Sequence, residues 1–284
     1  MRNSIPFDAY GQHGPVLHFA HANAYPPGCY RQLLTSLEAN FRVLAMHQRP
    51  LWPGSQPEAV DDWRVFAADL QRFCKQQGLG HIIGIGHSLG AVATMMAALA
   101  QPDLFRALVL IEPVFLPPEL LALMESQGDE LRRQDLPLVQ TALRRRSQWP
   151  SRQAAFDHFR SKRVFRHLSD SALQDFVAHG LVADEAGEFR LAFPPRWEAR
   201  IYGLIPTAVW RLIPQVSQPI LGLRGEYSDT LSKASWNHWQ QGQPQATFVE
   251  VADSGHLLPL ERPVAVSTAI RRFVADLPGR GADL

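Results

Sequence analysis

The sequence predicts an α/β fold, a doubly wound, mainly parallel sheet that carries an inserted, mostly helical cap. Three observations predict it. Short, β-branched apolar runs recur along the chain with helix-like segments between most of them, the alternation that builds a parallel sheet covered on both faces. A gap of about a hundred residues, roughly 114 to 213, separates the fourth run from the fifth; it is too long for a crossover and too aromatic for a linker. The 284-residue length suits one large core with a sizeable insertion.

The apolar runs are Val16 to Phe19, Val43 to Met46, Ile82 to Ile85, Leu108 to Ile111, Ile220 to Leu223 and Phe248 to Val251. After the third, Ala91 to Ala100 has the composition and length of a buried helix. The insertion opens at the proline-marked "FLPPEL" and closes near "LIPQVSQP", both places where a helix would stop. The expected core is therefore 1–113 with 214–284, and the cap 114–213. Within the cap, "ADEAGEFRLAF" predicts a hairpin, with Gly187 at the turn and Phe189, Leu191 and Phe193 alternating with polar or small residues.

Composition narrows the function. Charged residues make up 19% of the chain, hydrophobic ones 46%, and the net charge is +1. That balance argues against a disordered, fibrous or nucleic-acid-binding protein and for a small-molecule substrate. The N-terminal stretch has no apolar core of signal-peptide length, and no run approaches a membrane span, so a cytoplasmic protein is expected. Cys29 and Cys74 read as reduced thiols without metal-ligand spacing, so neither a metal nor a cofactor is expected. The pattern leaves the oligomeric state open.

One motif carries chemistry. Gly86-His87-Ser88-Leu89-Gly90 is a G-x-S-x-G placed between a predicted strand and a predicted helix, so Ser88 falls on a sharp turn. Such a turn forces a sparsely populated backbone conformation, kept where something requires it. The alternative is an ordinary glycine-rich turn whose serine caps the helix. A nucleophilic serine needs a base, and the base needs an acid that fixes its tautomer. Among eleven histidines, His256 in "VEVADSGHLLPLERP" follows a strand and precedes a helix, which places it at the same carboxyl edge as Ser88. Two acids suit that edge. Asp229, after "PILGLRG", is the preferred one; Glu112, directly after "ALVLIEP", satisfies the same chain order and is the alternative. Asp253 reads as a brace for the histidine's loop. For the oxyanion, the N–H of Leu89 at the helix start is one expected donor, and the N–H of Asn23 in "LHFAHANAYPPG" the other, with Ala24 or Ala22 as alternatives.

Taken together, "HANAYPPG", "GHSLG", "LRGEYSD" and "DSGHLLPLERP" resemble the oxyanion loop, nucleophile elbow, acid loop and histidine loop of the α/β-hydrolase superfamily. "HQRPLWPGS" is similar to a further loop of that superfamily. The resemblance spans roughly 1–113 and 214–284; Ala22 departs from it by standing where a glycine is usual after the histidine. It implies acyl transfer to water without a cofactor, through Ser88, His256 and Asp229. A carboxylic ester is the first expectation. A carbon–carbon hydrolase, a thioesterase, an amidase and a perhydrolase or haloperoxidase remain alternatives with the same triad, and a non-turnover ligand receptor is the alternative from another class. The serine excludes the branches that use an aspartate nucleophile.

Trp149, Phe156, Phe159, Phe165, Phe176, Trp197, Tyr202 and Trp210 predict that several cap aromatics line an apolar pocket over Ser88. Arg132, Arg133, Arg144, Arg145, Arg146, Arg160, Lys162, Arg163 and Arg166 make the cap basic, interleaved with Asp135, Asp157 and Asp170; they read first as solvated helix faces.

Overall fold

A computed structural model describes residues 4–126 and 136–278. Arg132, Arg133 and Asp135 lie outside the described residues. The strands of the core are β1 (Phe7–Tyr10), β2 (Val16–Ala20), β3 (Arg42–Met46), β4 (Ile82–His87) and β5 (Phe105–Ile111). Between β5 and the last two core strands run three short cap strands, β6 (Gln148–Trp149), β7 (Leu181–Ala183) and β8 (Phe189–Leu191); β9 (Ile220–Gly225) and β10 (Thr247–Val251) complete the core.

Seven strands form one sheet in the order β1-β3-β2-β4-β5-β9-β10, with β1 antiparallel to β3 and the other pairs parallel. The six apolar runs are its six parallel strands. The seventh, β1, carries no apolar run and alternates exposed with half-buried residues, as an edge strand does. In β4 every residue is buried, which is why its sequence reads as continuous apolar and glycine rather than alternating.

Helices cover both faces. α1 (Arg31–Leu37) lies on one, and α2 (Arg64–Gln76) and α3 (Leu89–Ala100) on the other. The segment between β5 and β9 contributes α4 (Pro118–Ser126), α5 (Pro137–Arg144), α6 (Arg152–Arg160), α7 (Asp170–His179), α8 (Pro195–Gly203) and α9 (Val209–Leu212). The chain then returns to the core through α10 (Lys233–Gly242), α11 (Leu258–Glu261) and α12 (Pro263–Asp276). α10 covers the same face as α2 and α3, with Trp236 and Trp239 edge-on to Phe248 of β10, while α12 packs beside α1.

In the cap, β7 and β8 form the hairpin, with Gly187 at φ +81° and Asp184 Oδ1 accepting from the backbone of Ala186 and Glu188. Ser151 and Ser169 cap α6 and α7 through their hydroxyls. Phe159 stands edge-on to Phe176 and Phe165, with centroids 5.0 and 5.4 Å away, and Trp149 stacks at 4.9 Å. These rings pack in one cluster with the α1 face of the sheet. The arginines of the same segment are partnered locally: Arg145 with Glu198, Arg160 with Asp170, and Arg152 with the carbonyls ending α7.

Candidate active site

The turn from β4 to α3 holds Ser88 at φ +55°, ψ −116°. That left-handed conformation costs a residue with a Cβ roughly 1–3 kcal/mol and persists only when its surroundings dictate it. They do so by close approach. A Cβ on Gly86 would lie 2.3 Å from the Gly90 carbonyl oxygen, and one on Gly90 would lie 2.1 Å from the Ala20 oxygen. Both flanking positions therefore require glycine. The Ser88 N–H donates to the Ile111 carbonyl at 3.0 Å, tying the elbow to the end of β5.

Glu112 follows immediately, at φ +50° and with no solvent exposure. Its carboxylate accepts three hydrogen bonds: from the Gly225 N–H at 2.6 Å, the Ser228 hydroxyl at 2.5 Å and His256 Nδ1 at 3.0 Å. Because the carboxylate only accepts, Nδ1 carries the ring proton and Nε2 is left as an acceptor. Nε2 lies 3.0 Å from Ser88 Oγ. A serine, a base in the productive tautomer and a buried acid thus stand in line.

The structure brings Glu112, the alternative acid, rather than Asp229 to His256 Nδ1. Asp229 lies at the exposed mouth of the cavity beside Thr230, and the Nδ1 position expected for it is occupied by Glu112. The reason is physical. β5 lies between β4 and β9, so a side chain leaving its last residue sits directly beside the elbow, whereas the β9 loop turns Ser228 inward and Asp229 outward.

The loop after β2 places Asn23 in the wall beside Ser88 and Leu89. Leu89 is the first residue of α3, where no preceding turn supplies a carbonyl for its N–H. The Ala22 N–H donates instead to the Tyr30 hydroxyl at 3.1 Å, which removes Ala22 from the alternatives. Asn23 Nδ2 donates to the Glu198 carbonyl of α8 at 3.2 Å, and Ala24 supplies the turn at φ +68°. His21 is a structural residue: Nδ1 donates to the Ala22 carbonyl at 2.8 Å and Nε2 accepts the Gln48 N–H at 3.0 Å.

Sequence reasoning missed a second buried chain. His87 Nε2 donates to the His256 carbonyl at 2.8 Å, so Nδ1 accepts, and the Tyr30 hydroxyl donates to it at 2.8 Å. Burial pushes the His87 pKa well below the ordinary imidazole value, and the adjacent His256 adds to this. The chain links the oxyanion loop, the elbow and the histidine loop. The histidine within G-x-S-x-G was the signal available for it. The histidine loop is further held by Glu261, which accepts the Gly255 N–H at 2.5 Å, and by Asp253, at φ +54°, whose N–H donates to Glu226.

A cavity of about 380 Å³ opens over Ser88. Several of the eight aromatics between 114 and 213 were expected to line it, and of these Tyr202 does; the walls otherwise come from Trp63, Tyr25 and aliphatic residues such as Val114, Leu138 and Ile205. Most of the remaining cap rings are consumed in packing, as the Phe159 cluster shows. Among the described residues, no helix is long and apolar enough to cross a membrane.

Comparison with known proteins bears on the family and the fold. The sequence model of the alpha/beta hydrolase family matches residues 19–269. The 2-(acetamidomethylene)succinate hydrolase of Mesorhizobium japonicum is 25% identical over 92% of this chain and 88% of its own length. Esterase YbfF of Escherichia coli is 27% identical over 78% of each chain. The crystal structure of E-2-(acetamidomethylene)succinate hydrolase superposes with a TM-score of 0.80 at 22% identity, covering 95% of this chain and 94% of that one. A thioesterase domain from the curacin biosynthetic pathway superposes with a TM-score of 0.75 at 16% identity, covering 93% and 94%.

Proposed function

We propose an activity from the premise that this chain belongs to the alpha/beta hydrolase family: it is a serine hydrolase that cleaves an acyl bond, a carboxylic ester first, of a small, largely apolar substrate. The observation that carries the reading is the unbroken line Ser88 Oγ, His256 Nε2, His256 Nδ1, Glu112 Oε2, with 3.0 Å at each hydrogen bond. The E. coli relative named as an esterase supports the choice of bond.

In the proposed mechanism Ser88 Oγ attacks the carbonyl carbon while its proton passes to His256 Nε2. Glu112 holds the imidazole in the required tautomer and balances the imidazolium that forms. The N–H groups of Leu89 and Asn23 hold the oxyanion, where preorganised donors act without reorganisation. The tetrahedral intermediate collapses, His256 returns the proton to the departing alkoxide, and the alcohol leaves. A water then loses its proton to His256 and attacks the acyl carbon, and the acid departs as the proton returns to Ser88. Protonated His256 cannot act as a base, so activity falls on acidification. At about 380 Å³ the cavity stands near the lower end of small-molecule sites, which suits short or medium acyl groups. The proposed cap is 114–213, which carries Leu138, Val164 and Tyr202 over the serine.

The test is hydrolysis of p-nitrophenyl esters from acetate to decanoate by wild type and Ser88→Ala. Turnover that depends on chain length and is lost in Ser88→Ala supports the reading. Equal activity in both proteins removes Ser88 from the mechanism.

A further inference from the structure

The charge distribution around the cavity says what kind of substrate it takes. Among the described residues that line it, none is a lysine or an arginine, and Asp229 is the one carboxylate. Below it, Glu112 holds a second carboxylate whose partners are a backbone N–H, a serine hydroxyl and His256, so no arginine or lysine is bonded to it. Arg145, whose charge reaches Tyr25 and Tyr202, is paired with Glu198 at 2.5 Å and does not line the cavity. Floor and mouth are thus both anionic.

The walls add to this. Tyr25, Trp63 and Tyr202 line the same space, and aromatic rings present a negative face to a cation. The charge of Asp229 reaches inward: the Tyr202 hydroxyl holds its proton more tightly, first because of burial, then through Glu198, with Arg145 acting the other way and Asp229 adding to the rise. A cleft lined by one sign of charge between low-dielectric walls concentrates that field and enriches the opposite charge.

We propose that the cavity selects by charge, with Asp229 as the specificity-determining residue: it prefers an acyl substrate carrying a quaternary or protonated amine over its neutral isostere, and disfavours one carrying a carboxylate. The inference rests on the cavity being the substrate pocket of the proposed hydrolase. It gives the otherwise unbonded Asp229 a role that the triad does not.

The experiment uses p-nitrophenyl esters of three butyryl-length chains, capped by trimethylammonium, tert-butyl or carboxylate, with the wild-type chain and Asp229→Asn. In parallel, calorimetry measures phenyltrimethylammonium and benzoate binding to both proteins. The expected result is a kcat/KM ratio of cationic to anionic ester of about tenfold or more in wild type, reduced at least about threefold in Asp229→Asn. Hydrolysis without that order, or a ratio unmoved by Asp229→Asn, overturns the charge selection and leaves the hydrolase reading standing. If no ester is cleaved, tighter binding of phenyltrimethylammonium than benzoate, lost in Asp229→Asn, upholds the charge selection while the ester reading falls. Equal binding, or none, overturns it.

Discussion

Two neighbouring strands, β5 and β9, each end in a loop that bears an acid, and the loops behave in opposite ways. The β5 loop delivers Glu112 at once, buried, with its backbone at φ +50° and its carboxylate fixed by three donors. The β9 loop runs on to Asp229 at the surface and gives its inward groups, the Gly225 N–H and the Ser228 hydroxyl, to Glu112. One loop therefore supplies the carboxylate that meets His256 and the other builds its socket. A buried carboxylate needs hydrogen-bond donors around it, so the residue that qualifies is the one the fold can surround.

The comparison breaks most sharply at the acid itself. Glu112→Gln should lower kcat about ten-thousand-fold, or roughly 5 kcal/mol, because a neutral amide no longer holds the His256 tautomer; a steady-state assay on the preferred ester reads this directly. A comparable loss in Asp229→Asn with Glu112→Gln nearly intact would reverse the assignment.

Acidification tests the buried side as a whole. Burial pushes His18 and His21 down to about 3, and His87 well below the usual range, so the unfolded chain binds three protons that the folded one excludes. These folded values are depressed, so the stability is full above the unfolded pKa and is lost as pH falls below about 6.5. At about pH 5.5 each histidine should subtract roughly 1.4 kcal/mol, about 4 kcal/mol together, relative to neutral pH. Urea midpoints at the two pH values measure it; a flat profile would mean that the buried imidazoles are protonated.

Next comes the socket. Ser228→Ala removes one donor to Glu112 and should cost roughly 1.5–3 kcal/mol in stability, with a fall in kcat that chemical denaturation and kinetics read together. The smallest effect belongs to the exposed acid: on a neutral ester, Asp229→Asn should change kcat/KM by less than about tenfold, since a solvated charge acts weakly on an uncharged substrate.

Most of the fold was legible because it is written in local pattern. The six apolar runs became parallel strands, and "GHSLG" between a run and an alanine-rich segment became the elbow. Ser88 and His256 were legible for the same reason, since each sits where a strand meets a helix. Asp229 was preferred although chain order admits Glu112 as well, and it is the packing of β5 between β4 and β9 that brings Glu112 rather than Asp229 to His256. The cap's aromatics were misread because spacing says a helix has an apolar face but not which neighbour it turns that face toward. Edge strand β1 left no apolar run to read, and the Tyr30–His87 chain joins residues that no local pattern relates.

Gly90 has a further consequence. With 2.1 Å between its missing Cβ and the Ala20 oxygen, main chain bears directly on main chain where α3 begins and the oxyanion loop leaves β2. The clearance there is a machining tolerance set by peptide geometry, with no side chain in between to be lengthened or trimmed. The seat of the proposed chemistry is consequently closed to gradual adjustment, and drift in substrate range has its room in the side chains that overhang it, Leu138, Val164, Ile205 and Asp229 among them.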